Sequence, residues 1–181
     1  MIKKPPELFS MRIFLLFLIC LIVPVKKIQA QDFSYKVNAM YIYYFAKYID
    51  WADVQTESVT IGIIGDSPVI DQLKAVTANK KVYGKSIVIR KITESEAIEC
   101  NMVIISKSES ALTQKISDDV KNLPILLVTE KSGYANKGAQ ICMYVDDEDD
   151  FKTKFQLSKA NIKKAHLKVS NDLLTLAVIV N

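Results

Sequence analysis

Histidine occurs once in these 181 residues, at His166, and glycine, proline and cysteine are scarce too, with five, five and three copies. Each shortage removes a class of chemistry. A hydrolytic triad needs a base beside its nucleophile. The single imidazole lies between Ala165 and Leu167 at an expected helix end, where a C-terminal charge or plain solvation accounts for it. One histidine with a few distant cysteines offers neither the close Cys pairs nor the HxxxH spacing of a zinc site, so no metal is expected. Gly62 and Gly65 flank a strand end that leads into a helix, but without GxGxxG or a GK[ST] loop the signal for a nucleotide is weak and no cofactor is expected. The acidic run Asp146 to Asp150 lacks the central glycine and spaced glutamate of a calcium loop and reads as a solvated turn. No catalytic residue stands out.

Long apolar runs are missing as well. The longest, Ile13 to Val25, has 13 residues, where a membrane-spanning helix needs about 20. Lys3, Lys4 and Arg12 precede it, and Ile28-Gln29-Ala30 follows before Gln31-Asp32. That layout predicts a secretory signal over residues 1–30 with cleavage after Ala30, Met11 being a second possible start and an uncleaved anchor the alternative. Ile19 before Cys20 argues against lipoprotein processing. Losing this leader removes five cations (Lys3, Lys4, Arg12, Lys26, Lys27) and one acid (Glu7), so the formal +4 of the whole chain falls to zero. A neutral exported domain, residues 31–181, has no broad positive field for nucleic acid, and no stable membrane insertion is expected after cleavage. Cys100 and Cys142 would then occupy a compartment that permits disulfides. Both read as buried, packed as small hydrophobes or bridged, and sequence alone does not pair them.

What the chain has is a concentration of aromatics. Tyr35 to Trp51 holds seven of the sixteen: Tyr35, Tyr41, Tyr43, Tyr44, Phe45, Tyr48 and Trp51. The stretch contains neither glycine nor proline and does not alternate, so it predicts a helix capped by Ser34. Val37, Tyr41, Tyr44, Phe45, Tyr48 and Trp51 recur at steps of three and four and should face a sheet, with Lys36, Lys47 and Asp50 in water. Tyr43 falls off that stripe, and so many phenols each need a partner or a wet edge, which leaves room for a docking surface.

Beyond it, apolar strands alternate with short helices. Val59 to Ile64, Ser86 to Ile92, Met102 to Ile105 and Ile125 to Val128 read as strands, Val69 to Val76 and Glu109 to Val120 as helices, and Thr93 to Ile98 as a single helical turn. Asp66 or Ser67 should cap the first of these helices, with Pro68 at its first position, and Ser108 should cap the second. Ala139 to Val145 and Phe151 to Leu157 form an expected hairpin around the acidic turn, followed by a helix from Ser158 to Ala165 and a short closing helix from Leu173 into a last apolar segment. The pattern predicts one α/β domain: three layers, a largely parallel central sheet, helices on both faces and a C-terminal β-hairpin.

Several of these segments together resemble the YfiR-like periplasmic proteins. KVNAMYIYYFAKYIDW is similar to their opening motif, IGIIGDSP to their strand ending in Gly-Asp-x-Pro, and VYGKSIVIRKI to their Gly-basic-x-Ile-x-Val segment. ECNMVIIS, PILLVTEKSGYANKGAQI and FQLSKANIKKAHLKVSNDLLTLA resemble, in order, the rest of the domain. Gln156 and Ser158 stand in place of the usual Glu and Asn, His166 in place of a Gly, and Gly62 where many relatives carry a Cys that could pair with the one matched by Cys100.

The resemblance implies regulation without catalysis, in the periplasm, often as a homodimer. It implies a partner in the membrane, a diguanylate cyclase or a sensor histidine kinase whose periplasmic sensor region is bound and repressed, and so a place in cyclic-di-GMP signalling. By residue matching it places the partner surface at Tyr41, Tyr44, Tyr48 and Trp51 with Asp66 and Pro68. A soluble receptor for a small ligand is the other reading, with its crevice at the carboxyl ends of the parallel strands near Gly65 and Ser106.

Overall fold

The computed structural model describes residues 25–51, 56–149 and 152–180, with side chains from Ser34 onward. Two units divide at Ser34 and Tyr35. Of the first, only the opening turns of a helix are described, so most of the expected leader and its Cys20 lie outside the described residues. All that follows concerns Tyr35 to Val180.

Helix α1, Val25–Tyr48, carries the aromatic stretch. Ser34 lies inside it, because Ala30 and the Lys and Gln residues before Ser34 extend the helix upstream. It ends three residues before Trp51, because Ile49–Asp50 turn extended as β1 and pair antiparallel with β9, Lys168–Val169. The Trp51 indole N–H donates to Ala46 O (3.1 Å), satisfying a carbonyl of the helix's last turn.

The core is an eight-stranded sheet. Its strands are β2 (Ser58–Ile64), β3 (Lys81–Val82), β4 (Lys85–Lys91), β5 (Met102–Ile105), β6 (Leu126–Thr129), β7 (Ile141–Asp146), β8 (Lys152–Ser158) and β10 (Val178–Val180). They run in the order β10-β8-β7-β6-β5-β2-β4-β3. The β4-β2-β5-β6-β7 run is parallel throughout, β7–β8 and β3–β4 are antiparallel pairs, and β10 lies parallel to β8. The predicted α/β architecture is therefore present, with the hairpin β7–β8 built into the main sheet. Strands buried on both faces explain the unbroken apolar runs of β5 and β6.

Successive residues alternate between two cores. Ile61 and Ile63 of β2, Met102 and Ile104 of β5 and Leu126 and Val128 of β6 pack with α1, α2 (Val69–Thr77), α4 (Lys159–Lys164) and α5 (Asn171–Leu176). Ile64, Val103, Ile105 and Leu127 face the other way, toward the 3-10 turn Glu94–Glu99 and α3 (Thr113–Asp119). Thr93 and Glu96 close a reciprocal capping box on that turn, and Ser158 and Ser170 cap α4 and α5 by accepting from Asn161 N and Leu173 N. The helix expected from Glu109 to Val120 is split: a 3-10 turn, Ser110–Leu112, precedes α3, and Ser108 bonds Ser106 (3.0 Å) instead of capping it. At α2, Ser67 Oγ accepts from Val69 N (3.2 Å), and Pro68 stands just before the helix.

Candidate functional site

The seam that α1 buries differs from the expected one. Ala39, Ile42, Phe45, Ala46 and Ile49 are fully buried against the sheet, while Tyr41, Tyr43, Tyr44 and Tyr48 are half-buried along the flanks. The helix is rolled by about one residue from the tyrosine stripe. Two alanines in that seam permit a close approach to the strands, and partial exposure leaves the tyrosines a wet edge. Tyr41 still packs inward, its ring 5.4 Å from Phe155 and 6.2 Å from Phe45. Phe45 meets Phe155 edge-on at 4.9 Å.

Tyr44 does not pack on the core. Its ring lies 5.8 Å from Tyr43 and 6.0 Å from Tyr48, in tilted contacts that continue along the helix. Lys80 Nζ sits 4.3 Å from the centre of the Tyr43 ring and Lys47 Nζ 5.1 Å from that of Tyr48, within cation–π range. Met40 is 40% exposed beside this row. At the far end Tyr83, 58% exposed, donates its hydroxyl to Ile49 O (2.7 Å). Tyr83 and Gly84 both adopt left-handed backbone (φ 52° and 76°) to turn β3 into β4, which delivers the phenol to the end of α1. Burial, and secondarily the charge of Asp50, push this phenol's pKa up, so it stays a donor.

The other nominated residues part company. Trp51 is buried, 4% exposed, and acts as a structural lock on α1. Asp66 and Pro68 are exposed on the loop after β2, where Lys91 pairs with Asp66 and its hydrogen bond and charge lower the carboxyl's pKa. Among the described residues, no hydrogen bond, ion pair or ring contact joins that loop to the tyrosine row. Tyr83 is not among the residues expected at the site; its one sign in sequence is the Tyr83-Gly84 pair between the helix ending at Val76 and the strand starting at Ser86.

Cys100 and Cys142 are both buried free thiols, and burial raises the pKa of each. Cys142 lies on β7 and Cys100 just before β5, with β6 between them. Two strand spacings amount to about 10 Å, beyond disulfide reach. At position 62 a Cβ would lie 2.7 Å from Cys100 Sγ, so the glycine there faces this thiol directly.

The carboxyl ends of the parallel strands, the expected ligand crevice, are filled by the chain itself. A Cβ on Gly65 would strike Ser106 and Glu109, and Ser67 Oγ donates to Glu130 Oε1 (2.7 Å) across the gap. A cavity of about 640 Å³ lies at the opposite, amino ends, among Asn122, Gly138, Gln140, Asn161, Lys164 and His166. Lys121 and Lys164, which also line it, stand at the C-termini of α3 and α4, where they oppose the partial negative charge of the last carbonyls. His166 is exposed at φ 54°, one residue past the Ala165 cap, the position that favours glycine. The acidic turn is held by lysines: Lys154 Nζ reaches Asp146 (2.8 Å) and lowers its carboxyl's pKa, and Lys152 (2.8 Å) followed by Lys154 (3.0 Å) lowers that of Asp149. Among the described residues no group of three or more His, Cys, Asp or Glu could hold a metal ion, and no helix is long and apolar enough to cross a membrane.

Comparison with protein families matches residues 35–178 to the family described as YfiR/HmsC-like. Among solved structures, the fold is similar to a conserved domain protein from Vibrio cholerae O1 biovar El Tor, at 11% identity and a TM-score of 0.55. That match covers 79% of this chain, and this chain spans 60% of the other. No curated protein matches.

Proposed function

The chain belongs to the YfiR/HmsC-like family, and from that membership and the tyrosine row on α1 we propose that it binds the periplasmic sensor region of a membrane signalling protein and represses it. The family is one of periplasmic, non-enzymatic regulators of cyclic-di-GMP signalling. On this reading residues 1–30 export the domain formed by residues 31–181, and a diguanylate cyclase or sensor kinase is the partner. The observation that carries the proposal is Tyr44, an aromatic ring half-exposed on the outer side of a core helix and held in tilted contact between two others without packing on the core. Tyrosines in that setting offer large, stiff contact area at small entropic cost, the character of binding anchors. The filled strand ends favour this surface over a small-ligand receptor.

The test is a photo-crosslinking residue at Tyr44 in the protein's own cells, alongside the double variant Tyr44→Ala, Tyr48→Ala. The crosslink should trap a membrane protein with a periplasmic sensor region, and the double variant should raise cyclic-di-GMP or kinase output as gene loss does, with normal protein levels. Gene loss that leaves those outputs unchanged would refute the proposal.

A further inference from the structure

We infer that the surface of α1 is an aromatic and cationic shelf built to receive an acidic protein segment; this rests on the docking role proposed above and names the chemistry of what docks. Lys36, Met40, Tyr44 and Tyr48 recur every four residues and so form one ridge along the helix. The contact row Lys80–Tyr43–Tyr44–Tyr48–Lys47 runs beside it and ends at Tyr83, whose hydroxyl holds Ile49 O and also approaches Lys47 O (3.4 Å).

Lysines edge this shelf. Lys36, Lys47, Lys80 and Lys81 are all exposed, and among the described residues none of them enters an ion pair. Some cations elsewhere are matched, Arg90 with Glu96 and Glu99, Lys91 with Asp66, Lys115 with Glu94, and Lys154 with Asp146 and Asp149, while others such as Lys159, Lys163 and Lys168 are exposed without an ion pair. What sets the α1 face apart is that its lysines border aromatic rings. Asp50 is the one exposed acid on the α1–β1 segment from Lys36 to Asp50. Four lysines to one exposed acid, two of the lysines lying on tyrosine rings, give this aromatic row a local positive excess.

Two of those lysines already lie against tyrosine faces. Each ring is thus flanked by an ammonium that can turn outward to a carboxylate while the ring takes an apolar side chain. Carboxylates spaced around a flat apolar residue satisfy both halves of the surface. A lipid surface fits less well: insertion needs protruding aliphatic or indole groups, and here only Met40 protrudes, while the rings lean on one another.

The experiment uses the purified full domain and a short fluorescent peptide of alternating Glu and Asp around two Phe residues. Its Gln/Asn counterpart and vesicles containing phosphatidylglycerol serve as the other arms. The acidic peptide should bind and its amide counterpart should not; binding should weaken steeply between about 50 and 500 mM salt. The variant Lys47→Glu, Lys80→Glu should bind about tenfold more weakly or worse, with its melting temperature unchanged because both side chains are exposed. Equal binding of the two peptides, or full binding by that variant, overturns the inference. Capture by the vesicles without any peptide preference also overturns it and reassigns the shelf to a membrane. In cells, signalling output that responds to Tyr44→Ala, Tyr48→Ala but not to the lysine reversals would leave the docking role standing and remove its ionic half. Insensitivity to both would remove the two together.

Discussion

At Gly62 the main chain passes so close to its neighbours that a side chain there would meet the tip of Ile92 at 2.4 Å and then the sulfur of Cys100. The 2.7 Å from an ideal Cβ to Sγ approaches the roughly 3 Å between a Cβ and the far sulfur of a disulfide, and only the tip of Ile92 must swing aside. Gly62→Cys should therefore oxidise onto Cys100 without displacing the sheet. Thiol titration and intact mass under non-reducing conditions check this; two free thiols at both positions would disprove it. Glu130 makes a second prediction. Burial raises its carboxyl above the ordinary 4.5, against the lowering effect of Ser67's hydrogen bond. A folded pKa above the unfolded one means the proton is held more tightly in the native state. This contribution is therefore full below about pH 4.5 and is lost as pH rises through the folded value. Glu130→Gln keeps an acceptor for Ser67 and removes the buried charge. It should raise the melting temperature at pH 7 and leave it unchanged near pH 4; equal shifts at both pH values would contradict the assignment.

Helix α1 shows what an element's sequence discloses and what it hides. Its existence was legible from the absence of breakers and from apolar spacing, but its facing was not. Tyr41, Tyr44 and Tyr48 share the spacing of a buried stripe, and tyrosine counts as apolar in any such pattern. The competing seam of Ala39, Ile42, Phe45, Ala46 and Ile49 wins because small residues permit a closer approach to the strands, and because burying four phenols would require four partners. Ala39→Leu tests this directly. Wedging a larger side chain between helix and sheet should cost about 1–3 kcal/mol, read by denaturant unfolding, whereas Tyr44→Ala should cost less than about 0.5 kcal/mol. The reverse order would mean the seam is misplaced. Caps were read unevenly: Ser67 accepts from Val69 N as expected, Ser34 and Ser108 do not cap, and Ser158, expected inside its helix, caps it instead.

For the whole molecule, the parallel order of the sheet followed from apolar runs interrupted by helices, and the hairpin from the acidic turn. The short pairings were invisible. β1 with β9, and β10 with β8, join two or three residues each, too few to carry a periodicity, and depend on partners more than 100 or about 20 positions away. The candidate site was half legible for the same reason. Its helix could be read locally, but Tyr83 and Lys80 reach it only through the fold. The clasp between Ile49–Asp50 and Lys168–Val169, reinforced by Ser170 N donating to Tyr48 O (3.0 Å), then has a consequence in time. The segment that anchors the end of α1 comes more than 100 positions later in the chain, so α1 cannot latch onto a finished domain until that stretch too has emerged from the ribosome.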